Sequence, residues 1–171
     1  STLERLWTRP SLDVNGITAG FQGPGSKTVI PSVATAKLSF RIVADQDPAR
    51  VHALLRAHVE KQVRRGVQWE VRAQHSGLPY RAPTKAPVFA SARRALQRAF
   101  GRPAGFAGEG GSIPFARGIG DATGAPCLLL GFGLPDGNAH APDEWLLLDN
   151  FQKGIESLAH LYEEMGATGQ R

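Results

Sequence analysis

Between Val33 and Val43 apolar and polar residues alternate without a break. Ala34, Ala36, Leu38, Phe40 and Ile42 fall on one side, and Thr35, Lys37, Ser39 and Arg41 on the other. A period of two predicts a half-buried strand with Arg41 on its polar face, near its end. Val14 to Phe21 predicts an earlier strand, and Gln22 to Thr28 a flexible loop between the two. Asp47-Pro48 then offers a side-chain acceptor at the N-cap and a proline at N1, which starts a helix. Val51, Leu54, Leu55, Val59 and Val63 share one of its faces, and Gly66 ends it. His52 and His58, six apart, lie too far round that helix to bind one metal together and read as structural or surface residues. Val67, Trp69, Val71 and Ala73 alternate again as a strand. The order strand-strand-helix-strand predicts a small α+β layer, one helix on a sheet.

His75 to Pro87 holds three prolines and a glycine and is the best boundary candidate in the chain. Two domains are therefore expected, 1–76 and 77–171. In the second, Pro87 to Phe100 predicts a helix with Val88, Phe89, Ala92, Ala95, Leu96, Ala99 and Phe100 inward and Gly101 as its stop. Pro126 to Leu130 predicts a short buried strand. Asp149 and Gln152 have capping-box spacing for a last helix. Phe151, Ile155, Leu158, Ala159, Tyr162 and Met165 are expected to face the core, with Gly166 ending the helix. The fold class is α/β: an α+β domain followed by helix-strand-helix elements.

Composition narrows the function classes. A hydrophobic content of 42% with 20% charged residues is that of a folded domain, and no apolar run nears the ~20 residues of a membrane span. The net charge of +5 invites a nucleic-acid reading. The basic residues are dispersed, however, with Arg64-Arg65 and Arg93-Arg94 the longest runs and no aromatics interleaved, so no nucleic-acid partner is expected. A single cysteine, Cys127, excludes an internal disulfide and points to a reducing, cytoplasmic setting.

Candidate chemistry gathers in the loops. Gly25-Ser26-Lys27-Thr28 is near a phosphate-binding loop but has Ser26 where that motif needs glycine, and extended chain follows instead of a helix. Glu109-Gly110-Gly111-Ser112 can turn backbone N–H groups onto an anion, or be an ordinary tight turn. Ser112 is no nucleophile elbow, because Pro114 stands where the second glycine belongs. The strand at 126–130 leaves through GFGLPDGNAHAPDE, residues 131–144, a run of turn formers around His140. From the residues alone His140 is a loop histidine or a metal ligand. Arg41 is a solvated cation or a planar fork for a carboxylate.

Four segments in this order, GSKTVIP (25–31), LSFRIV (38–43), EGGSIP (109–114) and GLPDGNAHAPDE (133–144), resemble the zinc metallopeptidase family of carnosinases, cytosolic non-specific dipeptidases, carboxypeptidase G, acetylornithine deacetylase and succinyl-diaminopimelate desuccinylase, and its dipeptidase branch above all. The resemblance implies a lid and dimerisation domain in 1–76 and the closing part of a catalytic domain in 77–171. It implies that His140 is the last ligand of a two-zinc site, with manganese or cobalt as alternatives, and that Arg41 grips the substrate's terminal carboxylate. Gly110, Gly111 and Ser112 would help hold that end, Glu109 would lie beside the metal-bound substrate, and Thr28 would reach the partner subunit's site in a homodimer. The implied reaction is hydrolysis of a dipeptide or N-acyl amino acid, in which two zincs activate a bridging water and a carboxylate shuttles the proton. The family's other ligands and its glutamate base have no counterpart in these residues. The chain is therefore expected to be a fragment, inactive by itself; the alternative is a non-catalytic dimerisation or carboxylate-binding module.

Overall fold

The computed structural model describes residues 1–109 and 113–169. Among them the order is helix α1 (Thr2–Thr8), strands β1 (Ser11–Ala19) and β2 (Ala34–Arg41), then helices α2 (Pro48–Gln62), α3 (Pro87–Phe100), α4 (Pro114–Thr123) and α5 (Leu148–Gly169). The class is mixed α/β, as the patterning predicts. Two compact units divide the chain: Ser1–Arg81 with Gly108–Gly118, and Ala82–Ala107 with Ile119–Arg171.

In the first unit β1 and β2 form an antiparallel ribbon, with Ser11 opposite Arg41 and Ala19 opposite Ala34. The ladder starts earlier than the apolar pattern because Ser11 and Leu12 pair with Arg41 and Phe40, and a bulge between Val14 and Gly16 keeps the two faces in step. Leu12, Val14 and Ile17 remain open to solvent. The helix expected at Asp47 is there: the Asp47 carboxylate accepts from the Arg50 N–H at 2.8 Å. It ends at Gln62, with Val63 as an extended C-cap, so Gly66 (φ +87°) makes the turn beyond the helix and does not stop it. Val51, His52, Leu55, Val59 and Val63 are half-buried, whereas Leu54 is exposed and His52 takes its place on the inner side.

The expected strand at 67–73 is irregular chain and joins no ladder among the described residues. Its alternation still sets direction: Trp69 and Val71 turn inward, and the Arg56 guanidinium of α2 lies 5.6 Å from the Trp69 ring centroid. Helix α2 does not pack on the ribbon; among the described elements only β1 with β2 and α3 with α5 are in contact.

The second unit is built on that helix pair. Helix α3 has the expected bounds, and Gly101 closes it at φ +69° with its N–H donated to the Gln97 carbonyl. Phe89, Ala92 and Ala95 are buried along it, joined by Ser91. Helix α5 differs from expectation in register. Gly154, Ser157 and Leu161 are its buried row, while Phe151, Ile155, Leu158, Tyr162 and Met165 are exposed. The inner side is set by Leu161, which clusters with Ala92 and Ala95 of α3, and by the Phe132 ring lying over Gly154. The Asp149 carboxylate pairs with Lys153 at 2.7 Å inside the helix, which runs through Gly166 to Gly169. Leu128 and Leu130 pack against the Ala92–Ala95–Leu161 cluster. The segment 126–130 is thus half-buried irregular chain, with Leu129 exposed and no ladder partner among the described residues.

Candidate functional site

The loop that carries His140 is held at its base by the second unit's core. Past Leu130 the chain sets Phe132 parallel to Phe100, ring centroids 6.2 Å apart, and Asn150 at the start of α5 donates to the Phe132 carbonyl at 3.0 Å. The same ring covers Gly154, where an added Cβ would come within 3.1 Å of it. Loop entry and helix α5 are therefore fixed by one another.

Beyond Gly133 the loop closes on itself. The Gly137 N–H donates to the Leu134 carbonyl, and the Trp145 N–H returns to the Gly137 carbonyl, both at 3.0 Å. The Trp145 indole N–H donates to the Asp136 carbonyl at 3.0 Å, a second tie between the loop's two ends. At the tip the Ala141 N–H donates to the Asn138 carbonyl at 2.9 Å. Three residues in this stretch adopt left-handed backbone: Asn138 (φ +53°), His140 (φ +64°) and Asp143 (φ +59°). Asn and Asp tolerate that region through local hydrogen bonding, but for histidine it costs on the order of 1 kcal/mol relative to glycine. The surrounding ties over-determine the bend, and such local strain clusters at functional sites. His140 stands exposed at the tip, its imidazole available to a ligand.

Arg41 lies at the end of β2 opposite Ser11, exposed, and its guanidinium makes no ion pair or hydrogen bond with any described residue. Its guanidinium is open to a carboxylate. Thr28 is exposed in the loop between β1 and β2. Glu109 is exposed just after Gly108, whose missing Cβ would fall 2.5 Å from Trp7 Cβ. Sequence reasoning missed this close approach, and no local signal announces it, since Trp7 and Gly108 lie far apart along the chain. Gly110, Gly111 and Ser112 lie outside the described residues. Beyond Ile113, helix α4 starts with Pro114 as its first residue, where the missing N–H is no loss. Arg41, Thr28 and Glu109 belong to the first unit and His140 to the second.

No three His, Cys, Asp or Glu side chains among the described residues are grouped so as to hold a metal ion. His140 supplies one donor, and a zinc site typically requires about three or four from protein. The donor set of these residues does not by itself fit a bound metal.

Residues 13–164 match the profile of peptidase family M20/M25/M40. The chain is 32% identical over 169 residues to the Cys-Gly metallodipeptidase dug1 of Schizosaccharomyces pombe, covering 97% of this chain and 36% of that protein. It is 30% identical over 166 residues to the Beta-Ala-His dipeptidase of Rattus norvegicus, covering 95% of this chain and 34% of the relative. Among solved structures, the di-peptidase Dug1p of Saccharomyces cerevisiae superposes with a TM-score of 0.79 at 30% identity, over 95% of this chain and 35% of that one. The chain thus spans about a third of the length of these relatives. A profile match across most of its residues, over a fold of the same shape, establishes that the chain belongs to peptidase family M20/M25/M40.

Proposed function

We propose that this chain carries one metal ligand and the carboxylate anchor of a two-zinc dipeptidase site whose other ligands and general base come from outside the described residues. The observation that carries the reading is the His140 loop, inside the matched segment and clasped by Gly137 and Trp145 in left-handed backbone. A histidine held in an unfavourable backbone and exposed at a loop tip is poised for a ligand. Arg41, exposed and unpaired among the described residues, suits the free carboxylate of a dipeptide or N-acyl amino acid, because its planar fork binds two oxygens at once. Glu109, Gly110, Gly111 and Ser112 are assigned to the same substrate end, and Thr28 to the partner's site in a homodimer formed through a lid spanning 1–76. Segment 77–171 would be the closing part of the catalytic domain.

The relatives named above are a Cys-Gly metallodipeptidase and a Beta-Ala-His dipeptidase, which supports a dipeptide with a free carboxylate as substrate. Zinc is assigned as the metal, with manganese or cobalt as substitutes. The single cysteine supports a reducing, cytoplasmic setting.

The isolated chain is expected to be inactive. Incubated with zinc and Cys-Gly or β-Ala-His, the purified chain should show no turnover above the metal alone. Turnover removed by a chelator and by His140→Ala would contradict the incomplete-site reading. A carboxylate-binding module without chemistry is the second reading, favoured by the absence of a three-donor group among the described residues. It predicts dipeptide binding that depends on Arg41 and is indifferent to zinc.

A further inference from the structure

Gly108, the residue before Glu109, is a glycine for a reason that its own backbone does not give. Its φ lies outside the left-handed region, so the bend there makes no demand for glycine. What excludes a side chain is α1. A Cβ on Gly108 would fall 2.5 Å from Trp7 Cβ, 2.9 Å from Trp7 Cγ and 3.2 Å from Trp7 Cα, and the last is backbone that cannot swing aside. Helix α1 has seven residues, too few to stand by itself, and it packs on no other helix or strand among the described elements. Its seat is the chain that leads into Glu109.

The same helix is tied to Arg41. Only Thr8, Arg9 and Pro10 separate Trp7 from Ser11, the first residue of β1, and Ser11 is the ladder partner of Arg41. That link is stiff. Arg9 is extended (φ −108°, ψ 140°), the region to which a following proline restricts it. Its guanidinium is bound back to the Glu4 carboxylate of α1 at 2.6 and 3.1 Å. Ser1 and Glu4 close a capping box at the start of the helix. Arg41, Ser11, Trp7, Gly108 and Glu109 all belong to one compact unit.

We infer that Trp7 and Gly108 are positioning residues, whose contact fixes the segment entering Glu109 relative to Arg41 and so sets the preference for a free terminal carboxylate. This deepens the reading given above, that Arg41 and the turn begun by Glu109 hold the carboxylate end of the substrate, and rests on it. Neither Trp7 nor Gly108 touches the substrate. A grip shared by groups from distant parts of the chain depends on their spacing, since a misplacement of about 1 Å costs on the order of a hundredfold in rate.

The contact is read first in the full chain, by fluorine NMR of protein made with fluorotryptophan. Trp7→Phe assigns the Trp7 signal among those of Trp7, Trp69 and Trp145. Gly108→Ala should move that signal and leave the Trp145 signal in place; an unmoved Trp7 signal would overturn the inference. The consequence is read in a chimera in which this chain replaces the matched third of the S. pombe metallodipeptidase, as kcat/KM for Cys-Gly over kcat/KM for Cys-Gly amide. Gly108→Ala and Trp7→Ala should each lower that ratio about tenfold, the loss falling on the acid and mainly in KM. Trp7→Phe keeps Cβ and Cγ at the contact and should retain most of the ratio. Added to Arg41→Ala, Gly108→Ala should lower it no further, because the group it positions is gone. Equal losses on acid and amide would mark the contact as merely structural and overturn the inference, and so would an unchanged ratio. Arg41→Ala separates the two levels. If it leaves the ratio intact, the carboxylate reading itself falls; if it abolishes the preference while Gly108→Ala does not touch it, the positioning role alone falls.

Discussion

A Cβ on Gly137 would stand 3.0 Å from the Trp145 carbonyl oxygen and 3.1 Å from that of Leu134, on a backbone that is already buried. Gly137→Ala should therefore cost about 1–3 kcal/mol, the usual range for overpacking, measured by urea unfolding of the full chain. At His140 the expectation is a contrast. His140→Gly should be more stable than His140→Ala by roughly 1 kcal/mol, because only glycine occupies left-handed backbone freely; equal stabilities would mean that the bend is unstrained. For Arg41 the measurement belongs to a complete enzyme. Arg41→Ala should lose about 2–4 kcal/mol of charge-assisted bonding to the substrate carboxylate. That is roughly 30- to 1000-fold in kcat/KM at ~1.4 kcal/mol per decade. Arg41→Lys should recover part of it, and a substrate with an amidated terminus should barely distinguish Arg41→Ala from the parent. His140 was legible as a candidate because turn residues surround it. The ties that hold it were not, because a hydrogen bond from the Trp145 indole to the Asp136 carbonyl is tertiary and leaves no pattern in sequence.

Helix α3 was readable to the residue, since its proline start, apolar face and glycine stop all agree. Helix α5 was readable as a helix and misread in register. Bulk marked Phe151, Ile155 and Tyr162 as the inner row, but the row that packs carries Leu161, beside Ala92 and Ala95, and Gly154, under the Phe132 ring. A pair of truncations separates the two registers: Leu161→Ala, at a buried position, should cost about 2–4 kcal/mol, and Ile155→Ala should stay within about 0.5 kcal/mol. The segments 67–73 and 126–130 show the other limit. Alternation and apolarity set which side chains turn inward, while a ladder needs a partner strand that a local pattern does not reveal. The α3–α5 pair is also joined by charge. A hydrogen bond between Glu163 and His160, then one from Arg98, hold the Glu163 carboxyl below the ordinary carboxylate range. A folded value below the unfolded one stabilises above the unfolded value, and that contribution is lost as pH falls through the folded value. Glu163→Gln should flatten the acid limb of the stability curve slightly, the pair being solvent-exposed.

Two units, one bearing Arg41 and the other His140, make up a chain about a third as long as its relatives. The family was legible because four short segments in a fixed order are far more specific than any one alone. The extent of the shared fold was legible from what those segments lack, the clustered ligands of a metal site. A chimera in which this chain replaces the matched third of the S. pombe metallodipeptidase tests whether His140 completes a metal site supplied mainly from elsewhere. The chimera and its His140→Ala variant are compared for zinc content and for zinc-dependent hydrolysis of Cys-Gly. The parent chimera should bind zinc and turn over Cys-Gly, and His140→Ala should weaken zinc retention and lower turnover by a factor of a hundred or more, roughly 3 kcal/mol, while the two metal-free proteins melt at similar temperatures. A His140→Ala chimera that keeps both its zinc and its full rate would contradict that role for His140.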